Sequence, residues 1–185
     1  MTIASYISCL RIVLIVPIIY FLGKGFWQEA PWSYNYLALI LFILAGITDY
    51  LDGYIARKTD TESQIGALLD LVADKLLVSL VMIWLVYLSN DVLITIPALI
   101  IVSRELVIST LRQYVIENSH KNKLNVSYIG KSKTTIQIIS ISMLILEREH
   151  SELWLLSIVA IWFAALFSMY SLFSYTKGWS KYYLN

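Results

Sequence analysis

Residues 36–88 read YLALILFILAGITDYLDGYIARKTDTESQIGALLDLVADKLLVSLVMIWLVYL. Two apolar runs, 36–56 and 65–88, flank a short polar turn, and each approaches the roughly 20 residues that a membrane-spanning helix needs. Asp49 and Asp52 lie near the end of the first run, and Asp70 and Asp74 near the start of the second. Two helices joined by that turn fold back on each other, which brings four carboxylates to one depth near one membrane surface. Outward from this hairpin, four further apolar segments occur at 5–23, 92–116, 133–147 and 153–175. The prediction is an all-α integral membrane protein of six transmembrane helices, forming one domain over residues 1–185.

Composition agrees. Of 185 residues, 58% are hydrophobic and 15% charged, with a mean hydropathy of +0.69, far from the make-up of a soluble domain. No basic tract suggests a nucleic-acid partner. Cys9 is the single cysteine, so an intrachain disulfide is excluded and a packed, inert thiol is expected. Arg11 interrupts the first apolar run and no small-residue cleavage site follows it, so that run reads as a retained span. Ser and Thr are frequent from Ser132 to Ser142, which turns the fifth helix toward other helices or a wet cavity. Pro17 and Pro97 fall inside helices, where each removes a backbone donor and serves local packing.

Six spans put both termini on one side. The segments of that side hold Arg57, Lys58, Lys121, Lys123, Lys131, Lys133, Lys177 and Lys181, whereas the opposite loops offer little beyond Lys24 and Arg148. By the positive-inside rule the termini and the 57–64 and 117–132 loops face the cytoplasm. Trp27, Trp32, Tyr34 and Tyr36 around the first outer loop, and Trp179, Tyr182 and Tyr183 at the end of the chain, read as interfacial anchors.

Asp49 and Asp52 are three residues apart, and Asp70 and Asp74 four apart, so each pair shares one helix face. Unpaired carboxylates in hydrocarbon are costly, and crowded like charges resist ionisation unless a cation neutralises them. With no His or Cys nearby, all-oxygen ligation selects a hard ion, Mg²⁺ or Mn²⁺. A single acid could instead pair with Lys75 or Arg57, a reading that fails for all four together. Gly53 and Ala56 either leave room for a ligand against the backbone or allow close helix packing. Arg57 either clamps a diphosphate or sets topology.

Asp49, Asp52, Gly53, Ala56, Arg57, Gly66, Asp70 and Asp74 reproduce the spacing D-x2-D-G-x2-A-R-x8-G-x3-D-x3-D, and the chain resembles the CDP-alcohol phosphatidyltransferases. The resemblance implies that the four aspartates hold two divalent ions, Mg²⁺ or Mn²⁺, and that Asp74 is also the general base. It implies that Gly53, Ala56 and Arg57 hold the CDP moiety of CDP-diacylglycerol. Gly66 belongs to the same nucleotide-side set, and Ser63 stands where the family often has a nucleotide-contacting threonine. Two positions depart from the pattern: Ala4-Ser5 replaces a frequent Pro-Asn, and Leu71 follows the third aspartate in place of a frequent Pro.

Ser103, Arg104, Glu105, Ser109, Leu111 and Arg112, then Val126, Ser127, Gly130, Lys131, Lys133, Thr134 and Gln137, are similar to the patterns of the bacterial branch that uses sn-glycerol 3-phosphate. Arg112, Lys131 and Lys133 form a cationic group suited to an acceptor with its own phosphate. The two lysines could equally meet anionic lipid heads, and Arg104 with Glu105 could be a structural ion pair or a ligand contact. His120 and His150 are assigned no role. The expected activity is transfer of a phosphatidyl group from CDP-diacylglycerol to glycerol 3-phosphate in the cytoplasmic (inner) membrane, with the site facing the cytoplasm. The resemblance also suggests a homodimer among membrane lipids. An inositol phosphate acceptor is the alternative within the family, and a divalent-cation channel or transporter the rival from another class.

Overall fold

The computed structural model describes residues 3–26, 31–59, 64–118, 128–146 and 153–183. Six helices form among them: α1 (Ile3–Gly25), α2 (Ser33–Thr59), α3 (Gln64–Ser89), α4 (Val92–Asn118), α5 (Tyr128–Leu146) and α6 (Leu153–Tyr183). Four contain stretches long and apolar enough to cross a membrane: Tyr6–Gly25, Leu71–Ser89, Val92–Leu111 and Leu153–Lys177. α2 and α5 contribute the shorter apolar stretches Ser33–Thr48 and Thr134–Leu146. The surface is that of a membrane protein. Val16, Leu99 and Leu166 are each 65–70% exposed, whereas Arg11 and Gln137 are sealed inside.

The helices sort into two sets. α1 packs on both α2 and α3, while α6 packs on both α4 and α5; contacts of α2 with α5 and of α3 with α4 and α5 join the sets. The sequence suggested α2 and α3 as a directly paired hairpin. They do touch, but each contacts α1 far more, so α1 fills the angle between them. Lipid tails are as apolar as leucine, so helices associate where small side chains let them approach. Ala38, Ala45 and Ala73 are fully buried, and a methyl built on Gly46 would sit 3.5 Å from Ile138 Cδ1, in van der Waals contact across the α2–α5 seam.

Backbone groups left over at helix ends must find partners, and four contacts supply them. Asn90 takes φ 46° just past α3 and donates its N–H to the Val86 carbonyl at 3.1 Å, closing the helix by a left-handed cap. Asp91 then caps α4, accepting the Leu93 N–H on Oδ1 at 2.8 Å, so two residues reverse the chain. At the same end Asn35 of α2 donates from Nδ2 to the Ile145 carbonyl at 3.1 Å, serving one of the last carbonyls of α5 that no helical N–H can reach. Pro97 has no N–H, so the carbonyl four residues earlier, Leu93, loses its helical donor. The Trp162 indole of α6 donates to that carbonyl at 3.1 Å.

α5 starts five residues earlier than its apolar run, and α6 continues beyond 175 to Tyr183. As the Ser and Thr content implied, α5 turns Gln137 and Ser140 inward. The Ser140 hydroxyl lies 2.9 Å from the Ala160 carbonyl and 2.8 Å from that of Ile136, so its one proton serves either helix. Pro17 and Pro97 both lie within helices. Trp32 and Tyr36 are exposed with ring centroids 6.4 Å apart, as anchors at the first connection would be. Trp27 lies outside the described residues.

Candidate active site at the aspartate end

Chain direction alternates from helix to helix, as the Asn90–Asp91 reversal and the tie from Asn35 to Ile145 show. The last turns of α2 and α4 and the first turns of α1, α3 and α5 therefore share one end. α2 carries Asp49, Asp52, Gly53, Ala56 and Arg57 there, and α3 carries Gly66, Asp70 and Asp74. Arg112 is near the end of α4, and Lys131 and Lys133 are in the opening turns of α5. Helical rise places Asp49 and Asp52 about 4.5 Å apart along the axis, and Asp70 and Asp74 about 6 Å apart. Gly66 is buried and Asp74 half-buried. Ser63, Lys121, Lys123, Val126, Ser127, His120, Arg148 and His150 lie outside the described residues.

The four aspartates of this end would offer oxygen donors alone. Each aspartate pair recurs at a spacing that keeps both carboxylates on one helix face, and hard divalent cations are the ions such oxygens hold. The sequence chemistry of this end fits Mg²⁺ or Mn²⁺.

Arg104 sits deeper, 7% exposed, and donates from Nη2 to Ser171 Oγ at 2.7 Å. Its Nη1 is 3.6 Å from Glu105 Oε2, and the same oxygen is 3.7 Å from Lys75 Nζ. The cluster joins α3, α4 and α6. Both readings left open for Arg104 and Glu105 begin from this: the pair is ionic, and its cation lies on the helix that carries Arg112. Lys75, which immediately follows Asp74, reaches Glu105 as an ion-pair partner.

Read from sequence alone, Arg11 carries no functional weight. Its side chain is 0% exposed, the largest fully buried side chain among the described residues. It continues a buried stripe of α1 through Ser8, Arg11, Ile15, Ile18 and Leu22, at the three- and four-residue steps of one helix face. The available signal was an arginine in that stripe, on the side that turns inward.

The sequence profile of CDP-alcohol phosphatidyltransferases matches residues 1–170. Among curated relatives, a protein of Rickettsia bellii is 36% identical over 182 residues, covering 97% of this chain and 96% of its own. One of Haemophilus influenzae is 38% identical over 145 residues, 78% of each chain. One of Yersinia enterocolitica is 33% identical over 178 residues, 96% of this chain and 94% of its own. All three relatives bear the name CDP-diacylglycerol–glycerol-3-phosphate 3-phosphatidyltransferase.

Proposed function

Since the chain belongs to the CDP-alcohol phosphatidyltransferase family, we propose that it transfers the phosphatidyl group of CDP-diacylglycerol to sn-glycerol 3-phosphate, releasing CMP and phosphatidylglycerophosphate. The observation that carries the acceptor is the near full-length similarity to relatives named for glycerol 3-phosphate. Arg112, Lys131 and Lys133, on helix ends at the aspartate end, are consistent with an acceptor that brings its own phosphate.

Asp49, Asp52, Asp70 and Asp74 would hold two Mg²⁺ or Mn²⁺ ions. When bound, such ions draw charge from the diphosphate and favour departure of CMP. Gly53, Ala56, Arg57, Ser63 and Gly66 hold the CDP moiety, with Arg57 on its phosphates. Asp74 accepts the proton of the glycerol hydroxyl. That oxygen bonds to the lipid-bearing phosphorus as the bond from this phosphorus to the diphosphate bridging oxygen breaks, and the electron pair leaves with CMP. Arg112, Lys131 and Lys133, with Arg104 behind them, orient the acceptor phosphate. The acyl chains stay in the bilayer, which suits a site at one end of an apolar bundle. The Lys and Arg distribution supports a cytoplasmic face for that end, in the inner membrane, and a homodimer is the assembly that the family resemblance suggests.

The test is purified protein with CDP-diacylglycerol and a panel of glycerol 3-phosphate, inositol phosphate and serine, scored by CMP release and by the lipid formed. Product with glycerol 3-phosphate alone, lost in EDTA, is expected. Product with another alcohol, or cation flux in liposomes without CMP release, would overturn the proposal.

A further inference from the structure

Arg11 lies inside the three-helix set that carries the aspartates, and two packing contacts fix its depth. At the far end of α1, a methyl on Gly25 would overlap Asn35 Oδ1 and sit 3.2 Å from the Asn35 backbone nitrogen, so the two backbones touch. α1 and α2 run antiparallel from that contact. Fourteen residues back from Gly25 is Arg11, and fourteen on from Asn35 is Asp49, each about 21 Å along its helix. α1 and α3 run parallel, and a methyl built on Gly23 would lie 3.4 Å from the Trp84 ring, in van der Waals contact. Twelve residues back along both helices pairs Arg11 with Val72, between Asp70 and Asp74. Both registers put Arg11 level with the aspartates.

Charge limits what Arg11 can serve. A buried guanidinium in a membrane is strongly unfavourable without an anion and hydrogen-bond acceptors. α1 carries no acid, α2 carries only Asp49 and Asp52, and α3 only Asp70 and Asp74. α1 packs on those two helices. The anions available to Arg11 within its own helix set are the four aspartates.

We propose that Arg11 is a positioning residue of the metal centre, its guanidinium bracing the aspartate carboxylates that α2 and α3 present at its depth. The planar fork offers five donors in fixed geometry, enough to hold oxygens on two helices at once from the helix between them. It sets the carboxylate orientations from behind and offsets part of their mutual repulsion. The inference rests on the metal-dependent reading above.

The experiment measures Mn²⁺ binding by loss of the free-ion electron paramagnetic resonance signal, with no substrate present, in the full-length protein and in Arg11→Met and Arg11→Lys. Melting in EDTA and CMP release are recorded in parallel. Outer-sphere partners of metal ligands typically contribute about 10- to 100-fold to metal affinity, so Arg11→Met is expected to weaken Mn²⁺ binding by that factor. Arg11→Lys, which keeps the charge but not the fork, is expected to weaken it by about 10-fold. Unchanged Mn²⁺ affinity with a lowered melting temperature would make Arg11 a packing residue and overturn the inference. Tighter Mn²⁺ binding in Arg11→Met would do the same, leaving only repulsion of the incoming ion. If Arg11→Met does not fold, wild-type Mn²⁺ affinity in Arg11→Lys overturns it. Failure of the unaltered protein to bind Mn²⁺ defeats the metal reading itself. CMP release by the unaltered protein with glycerol 3-phosphate upholds that reading whatever Arg11 proves to do.

Discussion

Replacing Glu105 with glutamine keeps the side chain's size and removes the one charge that Lys75 and Arg104 share. The carboxylate oxygen is 3.7 Å from Lys75 Nζ and 3.6 Å from Arg104 Nη1, with side-chain exposures of 14% for Glu105, 21% for Lys75 and 7% for Arg104. At an effective dielectric constant of about 20, each attraction is about 4.5 kcal/mol. The substitution also recovers the desolvation cost of the carboxylate itself, so the sum of the two attractions overstates the loss. Breaking a buried pair by removing one partner typically costs about 3–5 kcal/mol, and the three-group cluster belongs in that range. For a chain of this length about 1 kcal/mol moves the melting temperature by about 2–4 °C, which gives a fall of roughly 6–20 °C. Thermal unfolding of the purified protein in one detergent, followed by tryptophan fluorescence, measures it. Combining Glu105→Gln with Lys75→Met then asks whether the two side chains are coupled, since the double variant takes the Glu105 charge from one remaining cation where Glu105→Gln alone takes it from two. A fall of less than about 2 °C, or losses that add without coupling beyond about 0.5 kcal/mol, would refute the view that this cluster clamps α3 to α4.

Asp49→Asn, Asp52→Asn and Asp70→Asn each remove a charged ligand with little change in volume, so CMP release should fall by at least about 100-fold in each; activity within about 10-fold of wild type would contradict the two-metal assignment. Lys131→Ala, Lys133→Ala and Arg112→Ala should each raise KM for glycerol 3-phosphate by about 10- to 150-fold, the value of one charge-assisted contact, and leave KM for CDP-diacylglycerol unchanged at two salt concentrations. Equal changes for both substrates, or changes erased by salt, would point to lipid-surface electrostatics. Gly25→Ala drives a methyl into Asn35 Oδ1 and disturbs the Asn35 bond to Ile145, so a loss of about 1–3 kcal/mol is expected in thermal unfolding. If Gly25→Ala melts like wild type, the α1–α2 contact is looser than the structure shows.

Helix number and order were legible because an apolar run of membrane length has few other ways to satisfy its backbone. The same signal misplaced the start of α5, since Tyr128 to Lys133 is polar and hydropathy measures lipid exposure rather than helicity. Lateral arrangement was not legible: nothing local to 36–88 says that α1 fills the angle between α2 and α3, because that depends on how Ala38, Ala45 and Ala73 fit their neighbours. The aspartate spacing was readable, since a charge at membrane depth needs a reason and the spacing supplied one. Arg11 meets the same criterion, yet in the sequence it argues only against a cleaved leader. The Arg104–Glu105 pair is one of two possibilities open in the sequence, but its links to Lys75 and to Ser171, 67 positions from Arg104, belong to tertiary packing.

The bond from Trp162 to the Leu93 carbonyl also bears on how the molecule is made. The two residues are 69 positions apart, and synthesis at about 5–20 residues per second separates them by roughly 3–14 s. Throughout that interval the first turn of α4 holds a carbonyl that Pro97 has deprived of its helical donor. The membrane-integrated chain therefore passes through a state in which α4 exists but is not finished, and the last helix to emerge supplies the missing proton donor. α6 docks alongside α4 with a fixed registration, because one indole must meet one oxygen. A nascent chain halted before Trp162 would keep the Leu93 carbonyl, in the first turn of α4, without the indole donor that the finished bundle provides.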